Sequence, residues 1–266
     1  MIEAYLHMKT YCFFLLLTFF AFASKAQTAA QLNDQSKTLL AQGDAKSALP
    51  ILKKAAELGS AEAQYNYGIC FQQGIGEAKS DATAHEWFLK SAAQGSRDAQ
   101  FKVAYSYTTG RGVARDYRKA FQWSLKCAEQ SDTDCMFNVV TCYMMGAGTA
   151  KNIDSGLVWA VRLAKLPNPE NLKASGNITN ARTNLALLYR DGKELKQDLV
   201  QSYAWYLAYN ENKRDSSVLM QAEYIKGAEM LEKELTKAQR QLAQTEIERL
   251  LGKPLRNLAN LHKEEM

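Results

Sequence analysis

The sequence has little histidine and little proline, and both shortages narrow what the chain can be. Of 266 residues, three are histidines, at positions 7, 85 and 262. Neither His85 nor His262 lies near another metal-ligating side chain at the spacing of a known site. His85 is expected to be a surface residue or a hydrogen-bonded residue of a helix. The Ser-x-x-Lys, Gly-x-Ser-x-Gly and His-Glu-x-x-His motifs of hydrolases are absent. Catalysis, a cofactor and a metal are therefore not indicated. The chain contains only four prolines, and this scarcity of a helix-breaking residue favours helices.

Charge of one sign is not concentrated anywhere in the chain. Its 33 basic and 28 acidic residues are mixed along the sequence and give a formal net charge of +5. Proteins that bind nucleic acid usually concentrate lysine and arginine in a tract or on one face. Nucleic acid is therefore not implied as a partner. The hydrophobic content of 47% is that of a folded protein.

Long apolar runs are missing except near the N-terminus. Residues 12–22, CFFLLLTFFAF, form a run of 11 residues, which is too short to span a bilayer as a relaxed helix. Small residues follow, and cleavage after Ala26 or after Ala23 fits them. The pattern predicts a signal peptide over residues 1–26, a periplasmic or secreted protein, and no membrane span in the mature chain. Met8, with Lys9 directly after it, is an alternative to Met1 as the start.

A glycine pair with one residue between its members recurs through the middle of the chain. Its copies are Gly74 and Gly76, Gly110 and Gly112, and Gly146 and Gly148, at steps of 36 residues, followed by Gly192 alone after a step of 46. The four tryptophans follow the same steps: Trp87, Trp123, Trp159 and Trp205. A phosphate-binding loop occurs once and ends in Gly-Lys-Ser/Thr. A fixed period of this length instead predicts an array of repeated helical elements.

Each copy is predicted to be a helix, a turn and a second helix. Apolar residues recur at helical spacing before the glycines, and glycine tolerates the left-handed conformation that ends a helix. Seven positions before each tryptophan stands a residue of the N-cap type: Ser80, Asp116, Asn152 and Asp198. Asp44 lies one further period upstream, so a degenerate leading copy is expected over residues 27–60. The tryptophans are expected to be wedges in the core.

These residues resemble the Sel-1-like repeat family, which is related to the tetratricopeptide repeats. The best copies begin with AEAQYNYG and RDAQFKVA and contain the glycine pair and the tryptophan helix. The resemblance implies an all-α fold, a right-handed α-solenoid of helix-turn-helix repeats with C-terminal capping helices. The expected divisions are four repeats at 61–96, 97–131, 132–166 and 179–212, capping helices at 213–251, and a frayed tail at 252–266. The ten extra residues of the fourth step fall in a loop at 166–179.

The resemblance also implies a function. It predicts an exported, monomeric bacterial scaffold that binds a protein or peptide, without catalytic residues, cofactor or metal. Two alternatives remain open. One is binding to the cell wall, meaning peptidoglycan. The other is weak binding or hydrolysis of β-lactams, described for cysteine-rich exported members, although the missing Ser-x-x-Lys motif argues against it here.

The first helix of each copy is the expected binding surface, because this helix lines the concave face of such solenoids. One of its positions is mostly asparagine, whose amide both donates to and accepts from a peptide backbone. The residue type one turn further along the same face differs from copy to copy, as is typical of positions that set ligand specificity. These eight predicted partner-binding residues, called the first-helix set, are Asn66, Lys102, Asn138 and Asn184, with Ile69, Tyr105, Thr141 and Leu187.

Four cysteines remain after the predicted cleavage: Cys70, Cys127, Cys135 and Cys142. Cys127 ends one predicted helix and Cys135 begins the next, eight residues later. The spacing is similar to that of the helix-to-helix disulfides in cysteine-rich family members. The resemblance therefore implies a Cys127–Cys135 bridge in an exported chain. The alternative is four small buried thiols.

Overall fold

The computed structural model describes residues 28–167, 172–211 and 218–263, and all regular structure within these ranges is helical. The predicted signal peptide lies outside them. The helices are α1 (28–41), α2 (Ala45–Glu57), α3 (Ala61–Gln73), α4 (Asp81–Ala93), α5 (Arg97–Thr109), α6 (Tyr117–Glu129), α7 (Thr133–Met145), α8 (Ile153–Ala164), α9 (Leu172–Asp191), α10 (Leu199–Asn210), α11 (Val218–Glu234) and α12 (Lys237–Leu251), followed by a 3₁₀ turn at Leu258–Asn260. The predicted all-α fold is confirmed.

The chain divides into two compact units, Met1–Trp123 and Ser124–Met266, called unit 1 and unit 2. In unit 1, α2 packs on α3, α3 on α4, and α4 on α5. In unit 2, α7 packs on α8, α8 on α9, and α9 on α10, which also contacts α11 and α12. Within each unit, adjacent helix pairs therefore pack as in a solenoid. Within the described residues, no helix combines the length and the apolar character needed to cross a bilayer.

All five predicted N-caps are confirmed. In each case a side-chain oxygen accepts a hydrogen bond from the backbone N–H three residues later, which satisfies a donor that the helix start leaves unpaired. The capping residues are Asp44, Ser80, Asp116, Asn152 and Asp198. The second helix of every copy therefore begins at the register that the sequence predicts.

The glycine pair combines a helix end with a close backbone approach. Gly110 ends α5 in the left-handed conformation with φ of 77°, and Gly112 has φ of 75°. A Cβ atom at Gly112 would lie 2.1 Å from the backbone oxygen of Asp81, at the start of α4. No side chain fits there. The second glycine is thus required by packing on the preceding copy, as expected of a joint between helices.

The tryptophans are less deeply buried than predicted. Trp205 is 1% exposed, but Trp87, Trp123 and Trp159 are only partly buried. One residue turns an α-helix by about 100°, and it is the next residue, Phe88 at 1% exposure, that fills the core of unit 1. Trp87 instead packs at the edge of a second buried cluster, formed by residues of α2 and α3. The wedge prediction is wrong for three of the four tryptophans.

Three further expectations need correction. The insertion expected as a loop at 166–179 is helical from Leu172 onwards, where α9 begins. His85 is neither on the surface nor hydrogen-bonded: it is 5% exposed, and neither ring nitrogen has a hydrogen-bond partner among the described residues. The C-terminal tail, expected to be frayed over 252–266, is ordered and packed at least as far as Leu261. Leu255 and Leu261 are buried, and the backbone N–H groups of Arg256 and Asn257 both donate to Oε1 of Glu211 at 2.9 Å.

Candidate binding groove

An apolar groove opens between α7, α8 and α9 of unit 2, with a volume of about 500 Å³. Helix α7 contributes Phe137, Val140, Thr141, Met144 and Met145; α8 contributes Ile153, Ala160 and Leu163; α9 contributes Ala181, Asn184, Leu185 and Leu188; Glu194 follows α9. Pockets of this size accommodate small ligands or side chains of a bound peptide.

Helical periodicity explains why these residues share one groove. On α7, residues 137, 140, 141 and 144 are three or four positions apart and therefore lie on one face. The lining residues of α9 follow the same spacing. Gly156 of α8 gives space to Met144, because a Cβ atom at Gly156 would lie 3.1 Å from the Met144 Cε atom. A larger residue at position 156 would displace this wall of the groove.

The groove is apolar inside and polar at its edge. Met145 is 76% exposed, although it is a large apolar side chain. The hydroxyl of Thr141 donates to the backbone oxygen of Phe137 at 3.0 Å. Nζ of Lys151 lies 3.0 Å from Oε2 of Glu194 at one edge, and such exposed pairs contribute little stability. The groove therefore suits a ligand that places apolar side chains in the interior and polar groups along the rim.

Unit 2 contains four residues of the first-helix set, and two of them line the groove: Thr141 and Asn184. Asn138 is exposed on α7, three residues before Thr141. Leu187 is partly buried and does not line the groove. Within the described part of the chain, the side chains of Asn138 and Asn184 have no hydrogen-bond partner. Their amides are therefore available to a ligand.

The four residues of unit 1 have a different environment. Nδ2 of Asn66 donates to Oδ1 of Asn33 at 3.3 Å, and Nζ of Lys102 donates to Oε1 of Gln72 at 3.0 Å. Ile69 packs against the core of this unit, whereas Tyr105 is 44% exposed. The asparagine and lysine positions here already contact neighbouring side chains.

The structure joins Cys127 of α6 to Cys135 of α7 by a disulfide, with the Cα atoms 5.7 Å apart. Both cysteines are 0% exposed. Cys70 and Cys142 are free thiols. Burial raises the pKa of both thiols, which keeps them protonated and poorly reactive.

Sequence reasoning missed the groove, although a signal was present. The two residues before the first glycine of the pair are Gln72 and Gln73 in one copy and Thr108 and Thr109 in the next, but Met144 and Met145 in the third. Polar residues at a solvent-facing helix end are ordinary. Two methionines at that place indicate an exposed apolar surface.

Comparison with known families identifies the repeat. The Sel1 repeat model matches residues 61–96, 97–132, 133–168 and 179–208. The chain belongs to the Sel1 repeat family. Members of this family are typically non-catalytic scaffolds. The matched bounds differ from the four repeats expected from the sequence by at most four residues.

Solved structures of Sel1 repeat proteins resemble this chain. The Sel1 repeat protein from Oxalobacter formigenes is 24% identical, with a TM-score of 0.58 over 88% of this chain and 92% of that chain. The protein c5321 is described as a protective antigen of uropathogenic Escherichia coli with an SLR fold. It is 24% identical, with a TM-score of 0.40 over 81% of this chain and 50% of that chain. No curated protein matches the sequence.

Proposed function

We propose that the chain is an exported scaffold that binds a protein or peptide in the groove between α7 and α9. Sel1 repeats generally mediate protein interactions, and the groove is the observation that carries the proposal. An exposed apolar surface of this kind is unusual unless it binds something. Met145, at 76% exposure, marks its open side.

The groove residues suit an extended segment with apolar side chains. Burying one leucine, phenylalanine or methionine side chain fully contributes about 1.5–3 kcal/mol. The side-chain amide of Asn184 at the rim can donate to and accept from a peptide backbone, and Asn138 offers the same groups further along α7. Apolar contacts would supply affinity, and the two amides would fix the direction and register of the segment.

Paired substitutions on exposed apolar residues test the site. Met145 and Val158 are 76% and 68% exposed, but of the two only Met145 lines the groove. In a crosslinking pull-down from the native cells, Met145→Glu should lower partner capture at least about tenfold, which corresponds to about 1.4 kcal/mol. Val158→Glu should leave capture within about twofold. Both variants should melt within about 2 °C of the parent protein. Equal capture by the two variants would place the interface elsewhere.

Export is the second part of the proposal: residues 1–26 are removed, and the mature chain is periplasmic or secreted. The apolar run at 12–22 supports it, and a disulfide suits an oxidising compartment. Mass spectrometry of the protein from its native cells should find Gln27 as the first residue, or Ser24 if cleavage follows Ala23. A mature protein that still begins at Met1 or Met8 would contradict export.

A further inference from the structure

A recurring hydrogen bond fixes the joint between the second helix of one copy and the first helix of the next. Nε2 of Gln64 in α3 donates to the backbone oxygen of Ala56 at 3.1 Å. One period later, Nε2 of Gln100 in α5 donates to the oxygen of Ala92 at 3.4 Å. In α9 the equivalent residue is Arg182, whose Nε donates to the oxygen of Ala164 at 2.9 Å. This contact is called the joint bond.

The joint between α6 and α7 has no such donor. Met136 occupies the position of Gln100, 36 residues later, and is 0% exposed. Its thioether cannot donate a hydrogen bond. The residue before it also changes, since Cys135 replaces the alanine of the other three copies and is bonded to Cys127. One substitution removes the joint bond, and its neighbour adds a covalent link between the same two helices.

We propose that this disulfide is a redox-conditional joint, which replaces the joint bond and holds α7 in place only in an oxidising environment. Helix α7 supplies five of the residues that line the groove, and Cys135 lies in its first turn. The position of the groove wall therefore depends on the oxidation state of the bridge. The conclusion that the oxidation state of the bridge controls partner binding rests on the function proposed above.

Reduction of the bridge is a two-electron step. A dithiol such as dithiothreitol transfers two electrons and two protons, the Sγ–Sγ bond breaks into two thiols, and the dithiol closes to its own cyclic disulfide. Both cysteines are 0% exposed, so the reductant reaches them only when the joint opens. After reduction, this joint has neither the covalent link nor the joint bond. The joints at Gln64, Gln100 and Arg182 keep their hydrogen bonds in either state.

A set of variants separates the two kinds of link. Cys127→Ser with Cys135→Ala introduces Ser91 and Ala99, the residues at the equivalent positions of the preceding joint, between α4 and α5, and removes the bridge. Thermal unfolding should occur about 5–10 °C lower in this variant, called the bridge-free variant. Adding Met136→Gln restores the donor and should recover about 2–4 °C, whereas Met136→Leu should recover none. Wild-type protein refolded in dithiothreitol should match the bridge-free variant, which should itself be insensitive to the reductant.

Hydrogen exchange followed by mass spectrometry reads the groove wall directly. Amides of α7 should exchange at least about tenfold faster in the bridge-free variant and return towards wild type with Met136→Gln. Amides of α5, in unit 1, should not change. Identical melting and α7 exchange with and without the bridge would overturn the proposal, as would equal effects of Gln and Leu at position 136. These readouts need no partner, so their failure leaves the binding proposal intact. Unchanged partner capture by Met145→Glu would likewise leave the joint intact.

Discussion

In unit 1, the polar side chains of Asn66 and Lys102 donate hydrogen bonds to neighbouring residues, whereas in unit 2 Asn138 and Asn184 are exposed beside an apolar groove. All four occupy one position of the repeat. The difference lies in the neighbours. Asn33 and Gln72 offer acceptors in unit 1, whereas Met144 takes the place of Gln72 in the copy before Asn184. An equivalent repeat position places a side chain on the same face of its helix, and the residues of the adjacent copies determine what it contacts.

The largest expected effect concerns the close packing of unit 1. Gly112→Ala should cost unit 1 about 3 kcal/mol or more, because its Cβ atom would lie 2.1 Å from the Asp81 backbone oxygen. Gly43→Ala is the matched control: Gly43 also has a positive φ, of 82°, but nothing lies within 4 Å of its Cβ position. It should cost about 1–2 kcal/mol. Denaturant unfolding measures both, and equal costs would show that this turn is not closely packed on α4.

The next expected effect is a pH dependence of the stability of unit 1. Burial lowers the pKa of His85, an effect that the nearby Glu86 opposes. The ring packs edge-on against Tyr107 at 5.0 Å. Below the unfolded-state pKa of about 6.5, the unfolded chain binds a proton that the folded chain does not. The free energy of unfolding of unit 1 should therefore fall as the pH drops below about 6.5, and this contribution should level off below the folded pKa.

His85→Phe is the control for this pH dependence, because Phe121 occupies the equivalent position of the next copy. The variant should lose the part of the pH dependence that lies just below about pH 6.5. Denaturant unfolding at a series of pH values between about 7.5 and 5 compares the two proteins. Parallel curves for wild type and variant would show that His85 is protonated as easily in the folded chain as in the unfolded one.

The smallest expected effect is a difference in stability between alanine variants of two asparagines of the first-helix set. Asn66→Ala removes the hydrogen bond to Asn33, which is 1% exposed, and should cost about 1 kcal/mol. Asn138→Ala should stay within about 0.5 kcal/mol of wild type, because its side chain is solvent-facing. Equal costs in thermal or denaturant unfolding would remove the distinction between the two units.

The parts of the fold that could be predicted from the sequence are local ones. An N-cap such as Asn152 and a helix-ending glycine such as Gly110 act within a few residues of the chain, so their spacing reveals them. Depth in the core depends on the neighbouring helices, which is why Trp87 was expected in the core and His85 was expected to be either exposed or hydrogen-bonded. The groove arises where three helices of unit 2 meet. Its one local signal was the pair Met144 and Met145.

The most direct test of the account is partner capture by two double variants. Asn138→Ala with Asn184→Ala should reduce capture at least roughly tenfold while the melting temperature stays within about 2 °C of wild type. Asn66→Ala with Lys102→Ala should lower the melting temperature of unit 1 but leave capture by the folded protein within about twofold. Unchanged capture by the unit 2 pair, or an equal loss with both pairs, would contradict a binding site in the groove of unit 2.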